Sequence, residues 1–391
     1  MRLLYAFPEP LPLPRARGVQ VAHAVGSLVA AGVGVELAYV PVAGQAPLAP
    51  AGISAAAGLD LLPLSRGWPA PLDRIPPFAH WHSVRLFTHR LLREIAQRRP
   101  DALYVRHLKL AALLLARPGL PPLIYEAHEV FADTAKPQRR ERTLAMERTV
   151  VARAAAVVCN SRATADRLAA LYGAPRHLLV LPNGVTPLGS LPDKPWHDCR
   201  RHVIYAGSFF GWKGVADLVA AAATLDGFRL TLIGGEPGHI EALRKQLPSG
   251  GAEVEFLPRL PHAEVMAHVA AACIAVLPNR ADPDSAFTSP IKLFEYMAAG
   301  CAIVTSDLPA IREILGETDA AWFRPGDPAS LRDALLALGS DCGRASEMGR
   351  RLYAMSADYA WQKRAARLKA FLEGVLSGGP EGMRAGAAAG G

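Results

Sequence analysis

Two rhythms of apolar and polar residues alternate along the chain. Short runs of Val, Ile, Leu and Tyr fit strands covered on both faces, and stretches with apolar residues three or four apart fit helices. Strands are predicted at Met1–Phe7, Val35–Val40, Ala102–Val105, Leu123–Val130, Ala156–Ser161 and Leu178–Val185. A second series is predicted at Val203–Gly207, Leu230–Gly235, Val254–Leu257, Cys273–Pro278 and Cys301–Ser306. Between them, the pattern Val21, Val25, Leu28, Val29 predicts a helix ending near Gly32 and Gly34. Val84–Arg99 is an amphipathic basic helix with Leu86, Phe87, Leu91, Leu92 and Ile95 on its apolar side. That pattern suits packing on a sheet better than lying on a membrane. Further helices are predicted at Ala163–Tyr172, Val215–Leu225, His239–Leu247, His262–Ala271, from Ser289, and from Pro328 onward. Tyr359–Val375 is a last amphipathic helix, with Trp361, Leu368, Phe371 and Leu372.

Strand and helix alternate through both halves, which predicts an α/β fold of two doubly wound domains. Pro187, Pro192 and Pro195 lie among polar residues between Thr186 and Arg201, the best linker in the chain. We therefore expect an N-terminal domain over residues 1–190, a second over 191–357, a helix over 358–375 returning to the first, and a disordered Gly/Ala tail over 376–391.

Composition is that of a soluble globular protein: 391 residues, 51% hydrophobic and 20% charged, enough for two full cores. The apolar run Val21 to Val40 contains His23, Ser27 and Glu36 and reads as helix, turn and strand rather than a membrane span. Pro8, Glu9 and Pro10 follow the first strand at once, which argues against a secretory signal and for the cytoplasm. Cys159, Cys199, Cys273, Cys301 and Cys342 are scattered without a CxxC pair. This suggests idle thiols in a reducing compartment, with neither a disulfide framework nor structural zinc. Charge is uneven: residues 1–190 hold 22 Lys and Arg against 12 Asp and Glu, and the rest hold 21 against 23. A basic first half points to an anionic partner, such as a phosphate-bearing acceptor or peripheral contact with the inner membrane face, set against the plainer reading of a solvated basic surface.

Candidate chemistry concentrates in Phe287–Gly300. Ser289 and Pro290 read as an N-cap and first helical residue, at the carboxyl edge of a parallel sheet where such folds bind ligands. The amides of Ile291 and Lys292, the helix dipole and the Lys292 ammonium suit one anion, and Glu295 one turn further suits a ribose diol. An ordinary surface pair between Lys292 and Glu295 gives the same spacing. His128, at a strand's carboxyl edge, is a candidate cleft residue or a structural histidine. It is not half of a zinc-protease motif, because Ala132 stands where a second histidine is needed. GxGxxG is absent, but Gly18 in the first strand-to-helix turn allows close backbone approach, as does the diglycine at Gly234.

These segments together resemble the retaining GT-B-type glycosyltransferases of group 1 and family 4, over roughly residues 1–375. The first half contributes Tyr-Glu-Ala-His-Glu, Asn160-Ser161 and Leu-Pro-Asn-Gly-Val. The second contributes Tyr-Ala-Gly-Ser-Phe-Phe-Gly-Trp-Lys-Gly, Leu-Ile-Gly-Gly and Ser-Pro-Ile-Lys-Leu-Phe-Glu-Tyr-Met-Ala-Ala-Gly. The resemblance implies two facing Rossmann-like domains with the nucleotide-sugar donor held mainly by the second, and a C-terminal helix crossing back to the first. It implies that Lys213 binds the diphosphate, that Glu295 binds the ribose, and that the Ser289–Lys292 amides hold phosphates and sugar. His128 would face donor sugar and acceptor, and Gly18, Gly207, Ser208 and Gly234 would line the phosphates. Two positions depart from the family pattern: Phe287 stands where a glutamate often touches the sugar, and Ser208 where an arginine often follows the glycine. Lys292 is placed to supply the missing positive charge.

The implied chemistry moves a sugar from a UDP- or GDP-sugar to a saccharide or lipid-linked hydroxyl, with retention and without metal or further cofactor. It serves envelope polysaccharide or glycolipid synthesis, and no nucleic acid partner is expected. Three alternatives stay open: a metal-dependent transferase using Asp282-Pro-Asp284, a nucleotide-sugar epimerase on the same scaffold, and a non-catalytic nucleotide-sugar-binding protein.

Overall fold

The computed structural model describes residues 1–13, 16–49, 52, 57–67, 83–247, 249–282 and 291–378. The chain forms two compact units, Met1–Pro182 with Trp361–Gly391, and Asn183–Ala360.

The first unit is built on seven parallel strands: β1 (Arg2–Leu11), β2 (Gly34–Pro41), β3 (Leu59–Pro63), β4 (Ala102–Val105), β5 (Leu123–Ala127), β6 (Ala156–Cys159) and β7 (Leu178–Val180). Their order is β3-β2-β1-β4-β5-β6-β7. β1, β4, β5 and β6 are buried almost throughout, as expected of strands with helices on both faces. The helix Ala16–Ala30 and the last helix, Trp361–Ser377, complete one face: Val21, Val25, Leu28, Leu368, Phe371 and Leu372 share a core with Leu3, Tyr5 and Tyr104. His23 stacks on Trp361 with ring centroids 5.4 Å apart, and Lys369 donates to the Ala31 carbonyl at 2.9 Å. The helix Val84–Arg98 buries Val84, Phe87, Leu91 and Ile95, so its apolar stripe is core.

The second unit has six parallel strands: β8 (Val203–Ala206), β9 (Arg229–Gly235), β10 (Glu253–Pro258), β11 (Ile274–Leu277), β12 (Ala302–Ser306) and β13 (Ala321–Phe323), in the order β10-β9-β8-β11-β12-β13. Strand order reverses direction between β1 and β4 in one sheet and between β8 and β11 in the other. At such switch points the crevice outside the carboxyl strand ends is the natural ligand site. Among the described residues no helix is long and apolar enough to cross a membrane.

Two expectations need correction. The first boundary falls at Pro182/Asn183 rather than at 190, and the second at Ala360/Trp361 rather than at 357. The segment after Pro182 is tied to the second unit by the Val185 amide on the Tyr359 carbonyl (2.9 Å) and the Tyr353 hydroxyl on the Leu188 carbonyl (3.1 Å). The cysteines are not all idle: Cys199 and Cys342 form a disulfide, Cα to Cα 5.8 Å across 143 residues, while Cys159, Cys273 and Cys301 are free and buried. No local spacing announces such a pair, because the fold brings the turn Trp196–Arg201 against the start of the helix Cys342–Ser356. The expected tail falls mostly outside the described residues.

Lys194, 6% exposed, points its ammonium at the end of the helix His262–Ala271. It donates to the carbonyls of Val269 (3.3 Å), Ala270 (2.7 Å) and Ala272. A cation there gives further donors to the last carbonyls of the helix, of which Val269 also accepts from the Ala272 amide, and opposes the helix dipole. Lys194→Met keeps the stem and removes the donors, so it is expected to destabilise the second unit by about 2–3 kcal/mol. Urea unfolding followed by circular dichroism checks this, and an unchanged midpoint would show the cap to be idle.

Candidate active site

In the second unit the site is a floor of glycines beneath two lysines. β8 ends at Ala206, whose amide donates to the Tyr296 hydroxyl at 2.8 Å, and the chain continues through Gly207 and Ser208. The Gly207 amide donates to the Ile233 carbonyl of β9 at 2.8 Å. A Cβ on Gly234 would stand 2.6 Å from the Gly207 carbonyl oxygen, and one on Gly207 would overlap the Lys292 Nζ. Gly234 is thus explained by backbone packed on backbone, which the sequence suggested was room for a ligand. A Cβ on Gly18, likewise, would overlap the Leu13 carbonyl in its own turn.

Lys213 sits in the turn Gly211–Lys213, its Nζ 3.6 Å from the centre of the Trp212 ring. Gly214 follows at φ +69°, a conformation that favours glycine, and a Cβ there would run into the Pro278 carbonyl just after β11. Arg280 fixes the same turn from the other side. Its amide donates to the Trp212 carbonyl at 2.9 Å, and its guanidinium grips Asp217, with Nε to Oδ2 at 2.7 Å. Arg280 and Asp217 were not anticipated as site residues, and their 63-residue separation hides the pair in sequence.

Lys292 lies in the helix Ile291–Ala298. The residue keeps partial exposure, but its Nζ is buried and has no hydrogen-bond acceptor among the described residues. The nearest compensation is the Tyr205 ring, 4.1 Å from centroid to Nζ. Burial, then repulsion from Lys213, holds this ammonium well below the ordinary lysine range, and Glu295 opposes them only in part. The Tyr205 hydroxyl donates to the Ser208 carbonyl at 2.8 Å, which sets the chain at the position where the family often has arginine.

Glu295 is occupied. Its Oε1 lies 2.7 Å from Nε2 of His262, the first residue of the helix His262–Ala271, and this hydrogen bond raises the His262 pKa above 6.5. Nothing in the sequence marked His262 as a partner, since 33 residues separate the two. Lys213, Lys292, Glu295, Gly207, Ser208 and Gly234 are therefore brought to one edge of one sheet. Ser289, Pro290, Phe287 and Asp284 lie outside the described residues. Ile291 opens the described part of the helix.

His128 belongs to the first unit, one residue past β5, which ends at Ala127 rather than at Val130. The Asn160 side-chain amide donates to the His128 carbonyl at 3.0 Å, so the Asn-Ser motif braces this turn. Glu147, fully buried, accepts from the amides of Phe131 (3.0 Å) and Ala132 (3.1 Å) and from the Tyr172 hydroxyl (2.8 Å), holding the following turn. Arg106, past the end of β4, donates to Gln20 at 3.0 Å and the Arg17 carbonyl at 3.4 Å, beside Gly18. Among the described residues no group of three or more His, Cys, Asp or Glu side chains is arranged to hold a metal.

The fold is GT-B: sucrose-phosphate synthase from Thermosynechococcus elongatus superposes with a TM-score of 0.77 at 18% identity, covering 96% of this chain and 99% of that one. Anabaena HepE, solved in complex with UDP-glucose, gives 0.72 at 15% identity, with 95% and 99% covered. The family model of Glycosyltransferase Family 4 matches residues 18–187, and that of Glycosyl transferases group 1 matches residues 200–341. The chain belongs to the group 1 glycosyltransferases. A D-inositol 3-phosphate glycosyltransferase from Catenulispora acidiphila is 27% identical over 260 residues, which is 60% of this chain and 61% of that protein's length, under two-thirds of it.

Two outcomes are expected of this geometry. Because the His262 pKa is raised by its bond to Glu295, the pair's contribution is present below the ordinary histidine value and is lost as pH rises through the raised one. NMR titration is expected to place the His262 midpoint above 6.5, and Glu295→Gln to bring it back down. Gly214→Ala must shift the 211–214 turn or β11, so nucleotide affinity measured calorimetrically is expected to fall at least about tenfold. Unchanged affinity would show the turn to be adaptable.

Proposed function

We propose that the protein transfers a sugar, with retention, from a UDP- or GDP-sugar to a hydroxyl on a saccharide or lipid-linked acceptor, in envelope polysaccharide or glycolipid synthesis. One observation carries the donor assignment: Lys292 Nζ is buried against Gly207 with no acceptor among the described residues, and the Lys213 ammonium repels it. A pyrophosphate removes both costs at once, by supplying oxygens to donate to and negative charge between two cations. The glycine floor leaves backbone rather than side chains beneath it. HepE, bound to UDP-glucose, supports the donor class, and the D-inositol 3-phosphate glycosyltransferase relative supports transfer to a hydroxyl-bearing acceptor.

In this mechanism the bond from the anomeric carbon to the diphosphate breaks as the acceptor oxygen bonds to the same face of that carbon. Lys213 and Lys292 stabilise the charge that gathers on the departing phosphate oxygen, and that oxygen takes the acceptor's proton. Glu295 exchanges His262 for the ribose hydroxyls. His128 orients sugar or acceptor. Because the two ammonium groups already neutralise the leaving group, turnover is expected to persist in EDTA.

A donor panel scored by mass spectrometry of the released nucleotide tests the reading and identifies the base and sugar. Lys213→Ala and Lys292→Met are each expected to lower kcat by about 10²–10³-fold with the fold intact. Wild-type turnover in both variants would refute the site. Nucleotide binding without transfer or donor hydrolysis across the panel would leave a binding protein instead.

A further inference from the structure

Glu126, the last residue but one of β5, carries a charge and is 3% exposed. Its Oε1 accepts from Nη2 of Arg364, itself 6% exposed, at 2.6 Å, and its Oε2 accepts from the Tyr5 hydroxyl at 3.3 Å. Arg364 comes from the C-terminal helix and is anchored a second time by its Nε on the Pro182 carbonyl at 3.0 Å. The His128 Nε2 lies 3.3 Å from the same Glu126 Oε1. The contact is long for a charge-assisted hydrogen bond, and Nε2 is buried with no other acceptor among the described residues. The groups facing this pair are Tyr5 on β1, Tyr104 and Arg106 on or just past β4, and Arg364.

Charge and burial fix the protonation states. Burial, then the positive charge of Arg106, lowers the His128 pKa, so the imidazole is neutral and carries a single N–H. Burial works against ionisation of Glu126, yet its contact with the His128 ring nitrogen and the positive charges of Arg364 and Arg106 hold it well below the usual carboxylate range. Since His128 is neutral, Arg364 is the counter-charge that keeps the carboxylate ionised. A buried ion pair is weak justification by itself: an apolar pair of the same volume is often as stable. What an apolar pair cannot do is face a ring nitrogen with an anion.

We propose that Glu126 is the positioning residue of His128: held by Arg364, its carboxylate keeps the imidazole proton on Nε2 and presents Nδ1 as a bare acceptor for a sugar or acceptor hydroxyl. The role deepens the proposed transferase activity and rests on it for the identity of the hydroxyl, but the tautomer does not depend on any substrate. His128 then acts as a hydrogen-bond acceptor and not as an acid, since Arg106 and Arg364 oppose a second proton. The C-terminal helix becomes part of the site through Arg364.

The test labels histidine with ¹⁵N and assigns His128 by difference against His128→Ala. In the wild type the Nε2–H tautomer is expected. Glu126→Gln offers an amide donor to Nε2 and is expected to move the proton to Nδ1. It should also lower kcat by about tenfold or more, the size of loss typical when a ring-orienting partner is removed, with donor KM unchanged. If that variant fails to fold with Arg364 unpaired, Glu126→Leu with Arg364→Met removes both charges and is expected to fold and to lose the single tautomer. A wild-type Nδ1–H form, or a tautomer and kcat unmoved in the folded Glu126 variant, overturns the proposal. Full turnover in His128→Ala would instead overturn the catalytic role given to His128, and would leave the tautomer result standing.

Discussion

Burying an ammonium without an acceptor is among the more expensive things a fold can do, and the edge of β8 is arranged to do it. The Lys292 Nζ fits only because Gly207 has no side chain, and Gly207 sits where it does because Gly234 lets two backbones touch. Gly214 repeats the device against Pro278, so that Lys213 is delivered to the same edge. Three glycines therefore convert a parallel sheet into a place where two positive charges are pressed together. An anion placed there would relieve both the burial and the repulsion.

The first unit solves a related problem with the opposite economy. It buries a carboxylate, but surrounds it with an arginine, a tyrosine hydroxyl and an imidazole, and the cluster lies at the carboxyl end of β5, next to the strand that borders the switch point. In both units, chemistry is placed where helices and strands leave backbone ends exposed, and rigid neighbours aim it: Arg280 and Asp217 in one, Glu147 and Asn160 in the other. These four residues set the turns from which the functional side chains project.

Much of this was legible in the chain. Strands such as Ala102–Val105 and Ala156–Val-Val-Cys159 are uninterrupted apolar runs, which only a doubly covered strand requires, and helix His262–Ala271 has its period and ends where read. What escaped follows from the same physics. Leu59–Pro63 and Ala321–Phe323 are edge strands, half-covered or very short, and lack the buried run. The helix Leu108–Leu115 is apolar nearly all round and shows no stripe, while Pro137–Arg153 is so polar that only Glu147, Val150 and Val151 are buried. Lys292 and Glu295 could be picked out by their spacing on one local element, and Lys213 by the family resemblance. Their surroundings could not, because His262 reaches Glu295, and Arg280 reaches the turn before Lys213, from distances along the chain that no local pattern encodes; the Cys199–Cys342 pair, elsewhere in the second unit, was hidden for the same reason.

The first unit is assembled from two pieces of chain with the whole of the second unit threaded between them. Its apolar face over Val21, Val25 and Leu28 stays uncovered until Leu368, Phe371 and Leu372 have left the ribosome. The middle of the polypeptide has all its own strands by then, so nothing it needs is still to be made when the first unit is waiting for its last helix. Loss of the last helix would accordingly leave a folded centre flanked by a sticky, unfinished beginning, a form that cellular quality control is equipped to recognise.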